Sequence, residues 1–256
     1  MPAAFLAELE RRHLGGRSVA GFFDLVVGTS TGGIIALGLA KGLTARAILD
    51  LYMSRGGEVF PDLSWPRRVV RNVMGYVLNS CDHRALERLV AEVVGASQLW
   101  EARNRLCIPS IDATWGEVFV FKTPHHPDFR KDWERPMALV ARATSAAPSF
   151  FKPHADGTYE FLDGGIWANN PVMVGLVDAL SAFDVSRDRV RILSLGCVED
   201  AYRIGPLHRH IGGKLPWAKN VIDGAMHLQS LSAIGQAGLL IGRDRLTRID
   251  LPPIRP

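Results

Sequence analysis

The sequence predicts a three-layer α/β/α fold in which helices cover both faces of a mainly parallel sheet. Short apolar runs rich in β-formers alternate along the chain with segments of helical periodicity, and this alternation is typical of parallel sheets. The chain has 256 residues, 47% hydrophobic and 22% charged, which is enough for one large globular domain. Because glycine and proline are spread along the chain rather than concentrated in a linker, we predict a single domain over residues 1–256.

The first predicted elements surround a glycine-rich turn. Residues 3–13 have apolar side chains on one helical face, and two glycines then end the amphipathic helix. Residues 22–27 are apolar and rich in β-formers, which predicts a buried strand. The turn at 28–33 follows, and then an apolar segment that we expect to be a buried helix. The helices predicted from this point are 34–40, 44–54, 67–78 and 82–94.

The later elements are delimited by turn residues and helix-breaking residues. Gly116 lies in the turn between two strands, and Pro148 follows the end of a helix. Pro171 can open the next helix, with Asn169 or Asn170 as its cap. The elements predicted after residue 100 are strands 104–111, 117–122, 159–162 and 190–195 and helices 136–145, 171–183 and 218–241.

Charge and cysteine content limit the classes of function. A net charge of +4 does not by itself indicate nucleic-acid binding, although it favours contact with anionic lipid. Cys81, Cys107 and Cys197 lack metal-ligand spacing, so we predict thiols in a reducing compartment, no metal and no cofactor. Without a signal peptide or an apolar run of about 18–20 residues, the expected location is cytoplasmic, with only peripheral contact to the inner membrane face. The oligomeric state is left open, a homo-oligomer included.

Ser30 is the predicted nucleophile. It lies in a Gly-x-Ser-x-Gly motif between an apolar strand and an apolar helix, which is the context of a nucleophile elbow. Such a strained turn requires small residues on both sides, here Gly28 and Gly32. The helix start presents N–H groups and a positive dipole end, and the Thr31 amide is the expected oxyanion donor. The alternatives are a non-catalytic tight turn or a phosphate-binding loop, although no lysine follows the glycines.

A serine nucleophile needs a base, and the residues by themselves leave two choices. One is a histidine that follows the acid in the chain order of an α/β-hydrolase triad: His208, His210 or His227. The other is Asp163, at the end of a strand and followed by Gly164 and Gly165, where a carboxylate can accept the serine proton directly. Asp-Gly is also a common turn sequence.

The combined motifs resemble the patatin-like phospholipase family. The resemblance rests on Gly28–Gly33 and Asp163–Gly165, and extends to three further segments, 23–27, 141–148 and 167–171. It implies a patatin-like fold and a Ser–Asp dyad, Ser30 with Asp163, that hydrolyses acyl esters without a histidine or a metal. The substrates it implies are phospholipids, lysophospholipids or galactolipids at a membrane surface. Residues 108–122 resemble bacterial members, some of which are membrane-degrading effectors of nucleotide-signalled antiphage defence.

One part of the family pattern is not found in residues 1–256. Family members begin with a strand and an Asp-Gly-Gly-Gly-x-Arg-Gly loop that supplies oxyanion amides, whereas residues 2–13 here resemble the helix after that loop. Gly15-Gly16-Arg17 lies beyond this helix and is interpreted as its stop. The resemblance therefore implies that the true start lies upstream, or that activity is weakened. In the second case the chain is a lipid-binding or regulatory protein on the same scaffold.

Two further segments have competing interpretations. Trp65–Arg71 combines an aromatic residue with three arginines and suits an interfacial anchor for anionic lipid, although a solvated helix face is the simpler interpretation. His125 and His126 lie near Asp128, which suggests a metal site. Adjacent histidines point in different directions, however, and a polar loop is favoured.

Overall fold

The computed structural model describes residues 1–59, 83–148, 150–197, 202 and 214–250, with side chains of the last range from 221 onward. The predicted helix 67–78 and the segment Trp65–Arg71 lie outside these residues. The chain divides into two compact units, one of Ala3–Gly164 and one that begins at Gly165 and includes Met1–Pro2. The single domain stays a prediction, because this division does not decide whether the units fold independently.

The first unit contains helices and strands close to the predicted positions. Residues Val19–Phe22 form a 3₁₀ turn, capped by the Ser18 hydroxyl, which accepts the Ala20 N–H at 3.3 Å. For this reason the predicted strand 22–27 shortens to its last three residues. Strand β4 was not predicted. The helices are α1 (Pro2–His13), α2 (Thr31–Lys41), α3 (Ala45–Val59), α4 (His83–Val94) and α5 (Met137–Thr144), and the strands are β1 (Leu25–Val27), β2 (Arg105–Asp112), β3 (Glu117–Lys122), β4 (His154–Asp156) and β5 (Tyr159–Asp163).

The five strands form one sheet centred on β2. Strand β1 pairs with β2 in parallel, whereas the pairs β2–β3, β2–β5 and β4–β5 are antiparallel. The mainly parallel arrangement is therefore not confirmed in the described residues. For β2–β3 and β4–β5 the reason is the length of the connection, since these strands are joined by turns too short for a parallel crossover.

The pairing along β2 brings the carboxyl ends of β1 and β5 toward each other. Strand β3 pairs with residues 107–112 of β2 and occupies one edge of it. The other edge pairs with β1 at residues 105–107 and with β5 at residues 110–112. Strands β1 and β5 therefore lie end to end on this edge, each with its carboxyl end toward the gap at residues 108–109.

An apolar core supports the first unit. Helix α2 is apolar all round and buried, as a helix packed on several sides must be; Ile34 and Leu37 are fully buried. These side chains pack with residues of α4, α5 and the central strands, among them Leu89, Val140, Leu106, Ile108 and Phe161. The core thus fixes α2 and α5 against β2, and the residues that follow β1 and β5 are held by the same packing.

The second unit has its own small sheet and core. Strands β6 and β7 pair in parallel, and β7 was not predicted. Leu176, Ala237 and Ile241 are buried together. Asn170, one of the two predicted caps, accepts the Val172 N–H at 3.2 Å. The elements are α6 (Gly165–Ala168), α7 (Val172–Ala182), β6 (Ile192–Leu195), α8 (Lys214–Ile241) and β7 (Leu246–Ile249). In the part of the chain that the structure describes, no helix has both the length and the apolar character needed to cross a membrane.

A buried arginine in the first unit lies beside a half-buried histidine. Arg142 on α5 is 5% exposed. Its guanidinium carbon lies 5.6 Å from the centre of the Phe151 ring, and its Nε lies 3.6 Å from Glu87 Oε1. Burial lowers the pKa of His154 from its ordinary value of 6.5, and the Arg142 charge lowers it further, against the opposite effect of Glu87 and Asp156. His154 is therefore held neutral in the folded chain at pH values where it would otherwise be protonated.

We expect the protein to lose stability as the pH falls below about 6.5, with His154 as one contributor. The unfolded chain protonates this histidine at its ordinary pKa, whereas the folded chain resists protonation until a lower pH, so acid favours the unfolded state. In His154→Gln the decrease in melting temperature between pH 7.5 and pH 5.5 should be smaller than in the wild type. His13→Gln, at the exposed end of α1, is the control. An equal decrease in wild type and His154→Gln would contradict the prediction.

Candidate active site

Ser30 lies in a sharp turn between β1 and α2. Its backbone has φ 57° and ψ −128°, and among the described residues it is the only non-glycine residue with a positive φ. Side chains disfavour this conformation, so it persists only where the surrounding structure enforces it. Here α2 begins at the next residue, and the Gly33 and Ile34 N–H groups donate to the Ser30 carbonyl at 2.9 and 3.2 Å. The strand–turn–helix context expected of a nucleophile elbow is present.

The two glycines of the motif differ in their steric role. A Cβ on Gly28 would lie 2.2 Å from the Gly32 carbonyl oxygen and 2.5 Å from its carbon, which no side chain can tolerate. A Cβ on Gly32 would meet no described atom within 4 Å. The expectation that both positions must be small therefore holds at Gly28 and not at Gly32. The part of Gly32 that matters for the turn is its backbone carbonyl, which lies directly against Gly28.

Ser30 and Asp163 meet across the gap between β1 and β5. The serine follows β1, the aspartate is the last residue of β5, and both strand ends face residues 108–109 of β2. The Ser30 hydroxyl donates to Asp163 Oδ2 at 2.6 Å. At this distance a carboxylate can take the hydroxyl proton without an intervening group.

Asp163 is held from several sides. Its side chain is only 6% exposed, and its N–H donates to the Ala146 carbonyl at 3.0 Å. A Cβ on Gly164 would lie 2.4 Å from the Pro109 carbonyl oxygen, so the chain after Asp163 passes directly against β2. The predicted Asp-Gly-Gly turn is thus built on a strand end, with Gly164 required by this close approach. Gly165, the last residue of the motif, begins α6 in the second unit.

The start of α2 offers one candidate oxyanion donor. The Gly32 N–H donates to the Thr29 carbonyl at 2.9 Å, and the Gly33 N–H is used by Ser30. The Thr31 N–H makes no backbone hydrogen bond within the described residues. As the first residue of α2, Thr31 also belongs to the turn where amides lack intrahelical partners. Its amide thus lies next to Ser30 at the start of α2, and its role as an oxyanion donor stays a prediction.

None of the three histidines of the alternative triad lies in the described part of the first unit. His208 and His210 lie outside the described residues, and His227 belongs to α8 of the second unit. Within the described residues of the first unit, the hydrogen-bond partner of the Ser30 hydroxyl is Asp163.

The loop with His125 and His126 is a polar, aromatic turn. The Thr123 hydroxyl and His125 Nδ1 are 2.8 Å apart, and His126 Nδ1 lies 3.5 Å from the Asp128 carboxylate. Both imidazole rings lie against Phe129, with centroids 5.0 and 5.2 Å from its ring. The choice between a polar loop and a metal site is not tested by these contacts.

One residue beside Ser30 and Asp163 was not predicted to have a role. Thr144 accepts the Ser30 N–H at 3.0 Å. The sequence marked residues 141–148 only through the family resemblance, and no local pattern indicates which side chain of a helix end reaches a turn more than 100 residues away. Only the packing of α5 on α2 and β2 brings them together.

Comparison with known proteins finds one family model and several curated relatives. The family model for patatin-like phospholipases matches residues 2–176. Three curated relatives are named cGAMP-activated phospholipase. The Vibrio cholerae protein is 35% identical over 224 residues, which cover 79% of this chain and 62% of that protein. The Escherichia coli protein is 36% identical over 73% of this chain and 54% of that protein. The Pseudomonas aeruginosa protein is 35% identical over 76% and 57%, respectively.

The chain thus spans little more than half of the length of the curated relatives that it matches. The matched family region contains the elbow, the Asp163 strand end and the helix end between them. With more than half of its residues matched by one family model, the chain belongs to the patatin-like phospholipase family.

Proposed function

We propose that this chain is a lipid acyl hydrolase that cleaves acyl esters of phospholipids, lysophospholipids or related lipids. The observation that carries the proposal is the hydrogen bond of 2.6 Å from the Ser30 hydroxyl to Asp163 Oδ2. It joins a serine in a strained elbow to a buried carboxylate, the arrangement needed for direct activation of the hydroxyl. The family and the names of the relatives support the lipid class of the substrate.

The proposed reaction has two steps that share one base. As Ser30 Oγ attacks the ester carbonyl carbon, Asp163 takes the hydroxyl proton, and the Thr31 N–H stabilises the oxyanion. The ester C–O bond breaks, the alcohol leaves with the proton from Asp163, and the acyl group stays on Ser30. A water molecule then gives a proton to Asp163 and attacks the acyl carbon. The bond from that carbon to Ser30 Oγ breaks, Asp163 returns the proton to Oγ, and the fatty acid is released.

A fluorophosphonate probe tests the proposed nucleophile. We expect the purified chain to be labelled at Ser30, as located by peptide mass spectrometry, and to release fatty acid from phosphatidylglycerol vesicles. Because relatives are named cGAMP-activated, both assays should be performed with and without cGAMP. The matched control is Ser30→Ala, which should show neither labelling of the elbow peptide nor release of fatty acid.

Two outcomes would contradict the hydrolase. One is the absence of labelling and turnover in a folded chain under both conditions. The other is equal turnover by Ser30→Ala. Binding of the folded chain to vesicles without any turnover would instead favour a lipid-binding or regulatory protein on this scaffold.

A further inference from the structure

The end of helix α5 contacts both members of the dyad. We propose that Thr144 is a positioning residue that sets the distance between Ser30 and Asp163. This inference rests on the proposed function, because it concerns the same two side chains. Thr144 is fully buried, so its hydroxyl has no access to substrate, and any effect on the reaction must pass through its neighbours.

On the serine side, Thr144 holds the strained backbone. The Ser30 N–H donates to Thr144 Oγ1 at 3.0 Å. This amide belongs to the residue with the positive φ, where the chain would otherwise relax toward an ordinary turn. The hydrogen bond is partly buried, and leaving such an amide without a partner is costly, so the hydroxyl favours the conformation in which the serine side chain faces Asp163.

On the sheet side, the Thr144 hydroxyl binds β2 in the gap at residues 108–109, between the segments that pair with β1 and β5. It donates to the Pro109 carbonyl at 2.6 Å, and Pro109 lies between the segments of β2 that pair with β1 and β5. The Thr144 methyl group fills the space beside Gly33, 2.8 Å from where a Cβ would be. Thr144 is thus held by β2 and α5. Its hydrogen bond to the Ser30 N–H fixes the Ser30 backbone relative to both elements.

On the aspartate side, the contact comes two residues later. The Asp163 N–H donates to the Ala146 carbonyl at 3.0 Å. One short segment, residues 144–146, therefore binds the backbone amide of each dyad member, and its rigidity sets their separation. Since misplacement of reacting groups by about 1 Å can cost 10²-fold in rate, loss of the Thr144 hydroxyl should slow the chemistry more than it weakens substrate binding.

The test compares Thr144→Val, which keeps the shape and removes the hydroxyl, with Thr144→Ser, which keeps the hydroxyl. We expect Thr144→Val to lower kcat for a soluble acyl ester by about 10- to 100-fold with little change in KM. Thr144→Ser should recover most of this loss. Hydrogen–deuterium exchange of the peptide containing Ser30 should be faster in Thr144→Val and close to wild type in Thr144→Ser.

Thr123→Val is the matched control, because Thr123 is also buried and its hydroxyl accepts a backbone N–H, that of Leu106, at 2.9 Å. It should lower the melting temperature with little effect on kcat or on exchange at Ser30. The inference is overturned if Thr144→Val retains kcat and exchange at Ser30, or if Thr144→Ser is as impaired as Thr144→Val. A wild-type chain without turnover refutes the proposed hydrolase, whereas the exchange comparison still decides the role of Thr144.

Discussion

Replacement of Asp163 with asparagine is expected to lower kcat/KM for ester hydrolysis by about 10²- to 10⁴-fold, the range attributed to a general base. Asparagine has nearly the same shape and can still hydrogen-bond to the Ser30 hydroxyl, now 2.6 Å from Asp163 Oδ2. Its amide, however, cannot take the proton. Fluorophosphonate labelling of Ser30 should slow in parallel, because the probe also needs an activated hydroxyl.

Stability measurements separate this loss from unfolding. Asp163 is 6% exposed, and its replacement by a neutral isostere removes a buried charge, so the melting temperature should be unchanged or higher. Asp112→Asn is the matched control. Asp112 is 3% exposed in the same sheet, and it accepts the Thr114 N–H at 2.9 Å. This variant should hydrolyse esters at close to the wild-type rate.

The histidine alternative predicts a different pattern. A Ser-His-Asp esterase would lose activity when its histidine is changed to alanine, whereas a Ser–Asp dyad would not. We therefore expect His208→Ala, His210→Ala and His227→Ala each to retain activity. Near-wild-type turnover by Asp163→Asn, or abolished turnover in one of the folded histidine variants, would rule out Asp163 as the sole base.

Replacement of Gly28 with alanine is expected to abolish detectable labelling of Ser30 and to destabilise the first unit. The added Cβ would lie 2.2 Å from the Gly32 carbonyl oxygen and 2.8 Å from the Gly33 nitrogen. These are backbone atoms at the start of α2, so the turn must open. Overpacking of this kind costs about 1–3 kcal/mol of stability, and a shift of about 1 Å in the nucleophile can cost 10²-fold in rate.

Gly32→Ala is the control for stability. It belongs to the same motif, but its Cβ would meet no described atom within 4 Å, and alanine favours helix over glycine. Its melting temperature should equal or exceed that of the wild type, whereas Gly28→Ala should melt lower, as measured by circular dichroism. Equal melting temperatures for the two variants would show that the close approach at Gly28 does not constrain the turn.

Local patterns predicted most of the described elements, whereas the mainly parallel arrangement of the strands was not confirmed. Amphipathic periodicity predicted α1, and the apolar run after Ser30 predicted α2, because these patterns depend only on neighbouring residues. The short strands β4 and β7 carry too few residues for a pattern and form by pairing with partners. The alternation of strands and helices gives only the order of the elements along the chain. Whether two neighbouring strands run antiparallel, as in β2–β3 and β4–β5, depends on the length of the connection between them.

The sequence by itself predicted the chemistry of the candidate site. A glycine-flanked serine between an apolar strand and helix, and an aspartate at a strand end before two glycines, predict a nucleophile and a carboxylate base through residue type and local turn geometry. Whether the base is Asp163 or a histidine depends on contacts between residues far apart in the chain. Only the tertiary structure brought Ser30 and Asp163 to the same gap on β2, 2.6 Å apart, and placed Thr144 beside them. The physical reason is that strand pairing and helix packing, which no local pattern encodes, set distances between distant residues.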